Sequence, residues 1–194
     1  MTTRRLRIAV ITGSTRDGRF GPTVTAWFAE HAASLGSVDL DIVDLAESEL
    51  PVVHPDWGAE RTPAHARLGV RLDAADAFVI VTPEYNHSFP AALKNAIDLF
   101  RDEWSAKPVG FVSYGGLGGG LRAVEQLRLV FAELHAVTVR DSVSFHGAGS
   151  VFDDGRPIDP TVCTSAATNM LDQLVWWGTA LRDARTARPY GIAA

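Results

Sequence analysis

The sequence predicts an α/β domain built on a doubly wound, five-stranded parallel sheet with helices on both faces. Three observations predict it. Unbroken apolar runs rich in β-branched residues recur along the chain, as strands buried on both faces require. Each run gives way to a stretch whose apolar residues fall at helical spacing, the alternation from which parallel sheets are built. Loops rich in glycine, proline or polar residues sit where several of these runs pass into helices.

The elements follow in order. Leu6 to Thr12 (LRIAVIT) is the first strand, and a loop from Gly13 to Pro22 follows it. Val24, Trp27, Phe28 and Leu35 then mark a helix that stops at Gly36. Val38 to Leu45 is the second strand; Glu47 to Thr62, with Pro51, Pro55, Gly58 and a lone Trp57, is an irregular excursion. A helix over Pro63 to Ala75 leads to the third strand, Ala77 to Thr82, where the apolar run is longest and Pro83 ends it. Pro90 opens the next helix, with Leu93, Ala96, Ile97 and Phe100 on its apolar face. Val109 to Tyr114 is the fourth strand, Leu121 to His135 a helix, and Val137 to Phe145 the fifth strand. His146 to Pro160 is a loop or short hairpin, Thr161 to Arg182 the last helix, and Asp183 to Ala194 a loosely ordered tail.

Composition narrows the function classes. A chain of 194 residues suits one domain, here taken as residues 1–194, and 46% hydrophobic with 21% charged residues suits a packed core. The formal net charge of −5 argues against a sequence-independent nucleic-acid binder. One cysteine, Cys163, rules out an intramolecular disulfide framework and fits a reducing compartment. The amino-terminal segment is too short and too charged for a signal peptide or membrane span, so the expectation is a cytoplasmic protein. The six histidines show no ligand spacing, so no metal site is expected. The absence of a G-x-S-x-G elbow counts against an α/β-hydrolase, and Cys163 suits packing rather than nucleophilic attack. Trp57, Trp104, Trp176 and Trp177 suit packing or an interface.

Three loops leave the carboxyl ends of strands one, three and four. In the flavodoxin-like strand order 2-1-3-4-5 they line a single crevice at the switch point, where open α/β sheets bind ligands. The first offers Gly13, Ser14, Thr15, Arg16, Arg19, Phe20 and Gly21 at a helix start, a setting that favours an anion. Gly13 and Gly18 stand as in a nucleotide P-loop, but Arg19-Phe20 replaces its Lys-Ser/Thr pair, so a terminal monophosphate fits better than ATP or GTP. No G-x-G-x-x-G fingerprint follows strand one. The second loop, Glu84 to Phe89, offers Tyr85 to cover a ring and Asn86 as donor and acceptor, while Glu84 serves either a ligand or a neighbouring amide. The third loop has five glycines in the six residues from Gly115 to Gly120, so its backbone can approach a ligand closely. Leu121, Val124 and Leu127 after it suit core or subunit interface.

These segments together resemble the NADPH-dependent FMN reductase family of flavodoxin-like proteins. The matching residues are Gly13-Ser14-Thr15-Arg16, then Pro83-Glu84-Tyr85-Asn86 with Ser88-x-Pro90 and Leu93-Lys94-Asn95-Ala96-Ile97-Asp98, then Ser113-Tyr114-Gly115-Gly116. The resemblance implies FMN, with its phosphate on the Ser14, Thr15 and Arg16 loop. It places the flavin ring against Pro83, Glu84, Tyr85, Asn86 and the turn from Ser113 to Gly116. It also implies NADPH or NADH as hydride donor, a second acceptor such as a quinone, flavin, azo compound or metal oxyanion, and a homodimer or homotetramer. Arg19 and Gly21 stand where many members of the family carry serine and asparagine. No catalytic side chain is expected, since the cofactor carries the chemistry. The alternative expectation is a flavodoxin-type electron carrier without its own NAD(P)H turnover.

Overall fold

A computed structural model describes residues 4–56 and 58–191, so Trp57 and the extreme termini lie outside the described residues. Five parallel strands, β1 (Leu6–Thr12), β2 (Val38–Asp44), β3 (Ala77–Pro83), β4 (Pro108–Gly115) and β5 (Val137–His146), form one sheet in the order β2-β1-β3-β4-β5. Five helices cover it: α1 (Gly21–Leu35), α2 (Pro63–Asp73), α3 (Ala91–Asp98), α4 (Leu121–Glu133) and α5 (Pro160–Ala187). A two-strand ribbon, β6 (Phe152–Asp153) with β7 (Arg156–Pro157), occupies the connection read as a loop or short hairpin. The last helix continues to Ala187, so the tail is helical for five residues more than the sequence predicts.

All seven residues of β3 are buried, which is why its sequence shows no polar alternation. On one face Val24 and Phe28 of α1 and Met170, Leu171 and Leu174 of α5 cover the sheet. On the other, Leu68 and Leu72 of α2, Leu93 and Ile97 of α3, and Leu127 and Phe131 of α4 do the same. Trp104 belongs to this second core and donates its ring N–H to Ile97 O at 3.1 Å. Trp176 and Trp177 instead stack edge to face on the outside of α5. Gly110 of β4 lets α5 come close: a Cβ there would meet Met170 Sδ at 2.9 Å.

Between Thr138 and Ser142 the edge strand β5 bulges away from β4. Side chains from both faces take up the backbone groups this releases. Arg128 of α4 donates to Val139 O at 2.6 Å and Arg140 O at 2.9 Å, and Gln173 of α5 accepts from Asp141 N at 3.1 Å.

At the amino-terminal edge of the sheet, Lys107 is buried and its ammonium closes the end of α2, donating to Leu72 O at 2.9 Å and Asp73 O at 2.8 Å. Burial pulls its pKa down to about 8, with Asp73 opposing the shift. An unfolded lysine titrates near about 10.4, so between these values the unfolded chain holds the extra proton and stability rises with pH. Below about 8 both states are charged and the burial penalty is felt in full. Urea unfolding of wild type should therefore gain on the order of 2–3 kcal/mol between pH 7.5 and 10.5 relative to Lys107→Met. Parallel pH profiles for the two proteins would refute this account.

Candidate active site

Strand register brings the three loops level. Thr12 of β1 lies beside Val81 of β3, and Pro83 of β3 beside Tyr114 of β4, so the loops leave neighbouring strands side by side. Cross-links then join them. Ser14 Oγ of the first loop lies 2.8 Å from Tyr85 Oη of the second, and Glu84 N donates to Tyr114 O at 3.1 Å.

The first loop enters α1 with Phe20 at the cap position, no side-chain cap and no acidic residue in the first turn. By contrast Thr62 caps α2 and Asp159 caps α5. Gly13 N donates to Val81 O and Arg19 N to Arg16 O, while among the described residues the amides of Ser14, Thr15, Arg16 and Gly18 donate to no backbone carbonyl. Such a run of free donors at an uncapped helix start is a cradle for an anion. Arg16 and Thr15 are exposed there. Arg19 is held aside: its Nη2 pairs with Asp44 Oδ2 at 2.6 Å, and Asp44 Oδ1 accepts from Ala46 N at 3.0 Å. A side chain at Gly21 would press on Thr12 Cγ2 at 2.9 Å and Tyr114 Oη at 3.0 Å. Phe20 packs edge-on against Tyr114 and Phe152. The Tyr114 hydroxyl is buried with no hydrogen-bond partner among the described residues, and burial raises its pKa above the usual phenol range.

The second loop is a tight two-residue turn. Tyr85 and Ser88 exchange backbone hydrogen bonds at 2.8 and 2.9 Å, and Asn86 (φ 50°) and His87 (φ 66°) both adopt left-handed angles. Asparagine and histidine enter this region more readily than most other non-glycine residues. Gln126 of α4 holds the turn, accepting from Ser88 Oγ at 2.6 Å and donating to His87 O at 2.7 Å. Glu84 also faces α4, pairing with Arg122 Nη1 at 2.5 Å and accepting from Arg122 N at 3.3 Å. The third loop curls so that Ser113 Oγ and Ser144 Oγ both reach Gly119 O, at 2.9 and 2.8 Å. Gly119 (φ 58°) and Gly120 (φ 86°) take angles that other residues adopt at a cost. Around Gly116 there is open space.

A family model described as NADPH-dependent FMN reductase matches residues 6–150. The chain belongs to this family. Members related to it include an NAD(P)H-dependent FMN reductase of Schizosaccharomyces pombe, 42% identical over 123 residues, a match spanning 59% of this chain and 60% of that relative. A quinone reductase of Pseudomonas putida is 35% identical over 161 residues, covering 78% of this chain and 84% of the relative. Among solved structures, a flavoenzyme NAD(P)H:(acceptor) oxidoreductase from Paracoccus denitrificans superposes with a TM-score of 0.72 over 90% of this chain and 98% of that one. At 24% identity it bears on the fold alone, which is flavodoxin-like.

The residues singled out by sequence lie on three loops that leave neighbouring strands side by side, but several of their side chains are turned to protein partners. Ser113 is fully buried and its hydroxyl supports the glycine-rich loop, so it braces the site from beneath. The Glu84 carboxylate bonds both the backbone amide and the guanidinium of Arg122 on α4. Arg19 is tied to Asp44, and Gly21 is a packing glycine beneath Tyr114. Val124 and Leu127 are core, while Leu121 is 44% exposed. Cys163 is half-buried, and burial pushes its thiol pKa up, away from nucleophilic use. Asp44, Gln126, Ser144 and His146 were not singled out. Two signals were legible: Arg122 and Gln126 stand four apart on one helix, and Ser144 and His146 two apart on one strand.

Two glycines of the third loop should behave oppositely. Gly120→Ala, whose Cβ would come 2.5 Å from that of Ser113, should cost about 2–4 kcal/mol in urea unfolding. Gly116→Ala meets nothing within 4 Å and should stay within about 0.5 kcal/mol of wild type.

Proposed function

We propose that the protein binds FMN in this crevice as an NAD(P)H-dependent reductase of a small-molecule acceptor, a quinone, flavin, azo compound or metal oxyanion. The observation that carries this reading is the joining of an amide-lined helix start to the loop after β3, through the contact of Ser14 with Tyr85. In this reading the amides of residues 14–18, with Thr15 and Arg16, hold the terminal phosphate. Pro83, the backbone of Glu84, Tyr85 and Asn86 support the ring, and the amides after Gly115 face its polar edge. The residues present fit the group: among the described residues, amides that donate to no backbone carbonyl lie before α1 and in the third loop, and the space around Gly116 is open.

Bound FMN supplies a flat two-electron carrier that accepts hydride from a nicotinamide and passes the electrons to a second substrate. The chain binds and orients. Gln126 and Arg122 keep the second loop and its neighbour at fixed separation, so the ring's supports are set before it arrives. Donors fixed in advance along the third loop offset negative charge at the ring's polar edge without reorganising.

We also propose that one domain carries this activity and that it works in the cytoplasm as a homodimer. Exposed Leu117, Leu121 and Leu129, at 93%, 44% and 76%, offer apolar surface beside the crevice for a second copy. The named relatives, FMN reductase and quinone reductase, support the choice of chemistry.

Purified protein should be yellow or should take up FMN when apoprotein is titrated, and anaerobic NADPH or NADH should bleach it within seconds. Arg16→Ala should weaken FMN binding about tenfold, close to 1.4 kcal/mol, and leave riboflavin binding unchanged. Gly116→Ala should fold normally yet bind FMN at least tenfold more weakly, since its methyl group would stand in the open space where this reading puts the ring. Protein that takes up no FMN would end this reading, and FMN that NAD(P)H does not reduce would point to an electron carrier.

A further inference from the structure

The glycine-rich third loop is held through its carbonyls, with Leu121 N on Gly118 O at 3.0 Å and Ser113 Oγ on Gly119 O, and much of the grip comes from the end of β5 and the residue after it. Gly116 O accepts from Gly147 N at 2.9 Å, Leu117 O from His146 Nδ1 at 2.9 Å, and Gly119 O from Ser144 Oγ at 2.8 Å. A carbonyl has no proton to give, so His146 carries one on Nδ1; its Nε2 lies 3.2 Å from Ser144 Oγ. In a trans peptide the carbonyl of one residue and the N–H of the next point in opposite directions. Drawing the carbonyls of Gly116 and Leu117 toward β5 therefore turns the N–H groups of Leu117 and Gly118 the other way, toward the loop after β3. Neither N–H donates to a backbone carbonyl among the described residues.

Such a loop needs a brace. Glycine accepts either sign of φ at little cost, so the peptide between Leu117 and Gly118 has no strong preference for one orientation. Gly147 fixes the preceding peptide through backbone alone, and Ser113 with Ser144 fixes the one after Gly119. The Leu117 carbonyl is held by His146.

We propose that His146 is a positioning residue: by holding the Leu117 carbonyl it aims the Leu117 and Gly118 amides at the polar edge of the bound flavin, where they stabilise negative charge. The inference rests on the reading that the crevice holds FMN. His146 itself need not touch the ring.

Sulfite tests it independently of turnover. Its sulfur lone pair forms a bond to flavin N5, the displaced electron pair settles on the N1–C2 carbonyl edge, and no group leaves. Adduct affinity, followed by loss of visible absorbance of the FMN-loaded protein, therefore reports charge stabilisation at that edge. Loss of a directly contacting oxyanion donor costs about 100-fold or more. Loss of a brace behind two such donors is expected to weaken sulfite binding about tenfold in His146→Ala, with FMN affinity changed less than about threefold. His146→Asn places an amide nitrogen where Nδ1 lies and should restore most of the affinity. His146→Gln keeps the bulk but moves the donor to the Nε2 position, so it should resemble His146→Ala and serves if the alanine variant does not fold. Wild-type sulfite affinity in His146→Gln or His146→Ala, or a wild-type holoprotein that binds no sulfite, would overturn the role of His146. A wild-type protein that takes up no FMN would instead overturn the reading beneath it.

Discussion

Much of this structure depends on β3 being buried along its whole length between β1 and β4. A strand with no solvent face must have helices on both sides, and its neighbours must match it in register so that every ladder group is paired. That register delivers three chain reversals to the same level at the carboxyl edge of the sheet. The crevice is a consequence of this burial: the loops stand together because the strands below them cannot slip without exposing an apolar residue or stranding a hydrogen bond.

Within the crevice the polar groups divide their work. Side chains mostly hold the protein to itself. Glu84 meets Arg122, Arg19 meets Asp44, Ser113 and Ser144 meet Gly119 O, and Gln126 meets Ser88 and His87. Among the described residues, amides at the start of α1 and those of Leu117 and Gly118 donate to no backbone carbonyl, and the side chains of Thr15 and Arg16 stand exposed beside the first set. This division suits a redox cofactor. Fixed dipoles stabilise charge that comes and goes with each electron pair, whereas a free acidic or basic side chain would add a proton transfer that the chemistry does not require. The left-handed angles at Asn86 and His87 belong to the same scheme, since a turn tied by Gln126 at two points keeps its shape when a ligand arrives or departs.

The fold is largely legible in the sequence. Apolar runs located all five strands of the main sheet, and Gly36, Pro63 and Pro90 marked the end of α1 and the starts of α2 and α3. Where boundaries differ, a tertiary contact supplies the reason. The ammonium of Lys107, far away in sequence, closes α2 at Asp73, and the bulge of β5 relies on Arg128 and Gln173 from opposite faces. Neither partner leaves a local trace, because a lysine before a strand looks like any other surface charge.

By itself the sequence determined the architecture, the loops that matter and the family resemblance, because hydrophobic period, glycine and proline are local properties of the chain. Only the tertiary structure decided which groups in those loops are spent and which are free. Ser113, Glu84 and Arg19 have the composition of ligand contacts, yet each finds a protein partner brought to it by another element. Asp44 shows no pattern of its own and His146 only its spacing from Ser144, and they matter through Arg19 and Leu117. Hydrogen-bond donors are consumed by whatever folding places within about 3 Å of them, and that placement is set by the packing of the whole sheet.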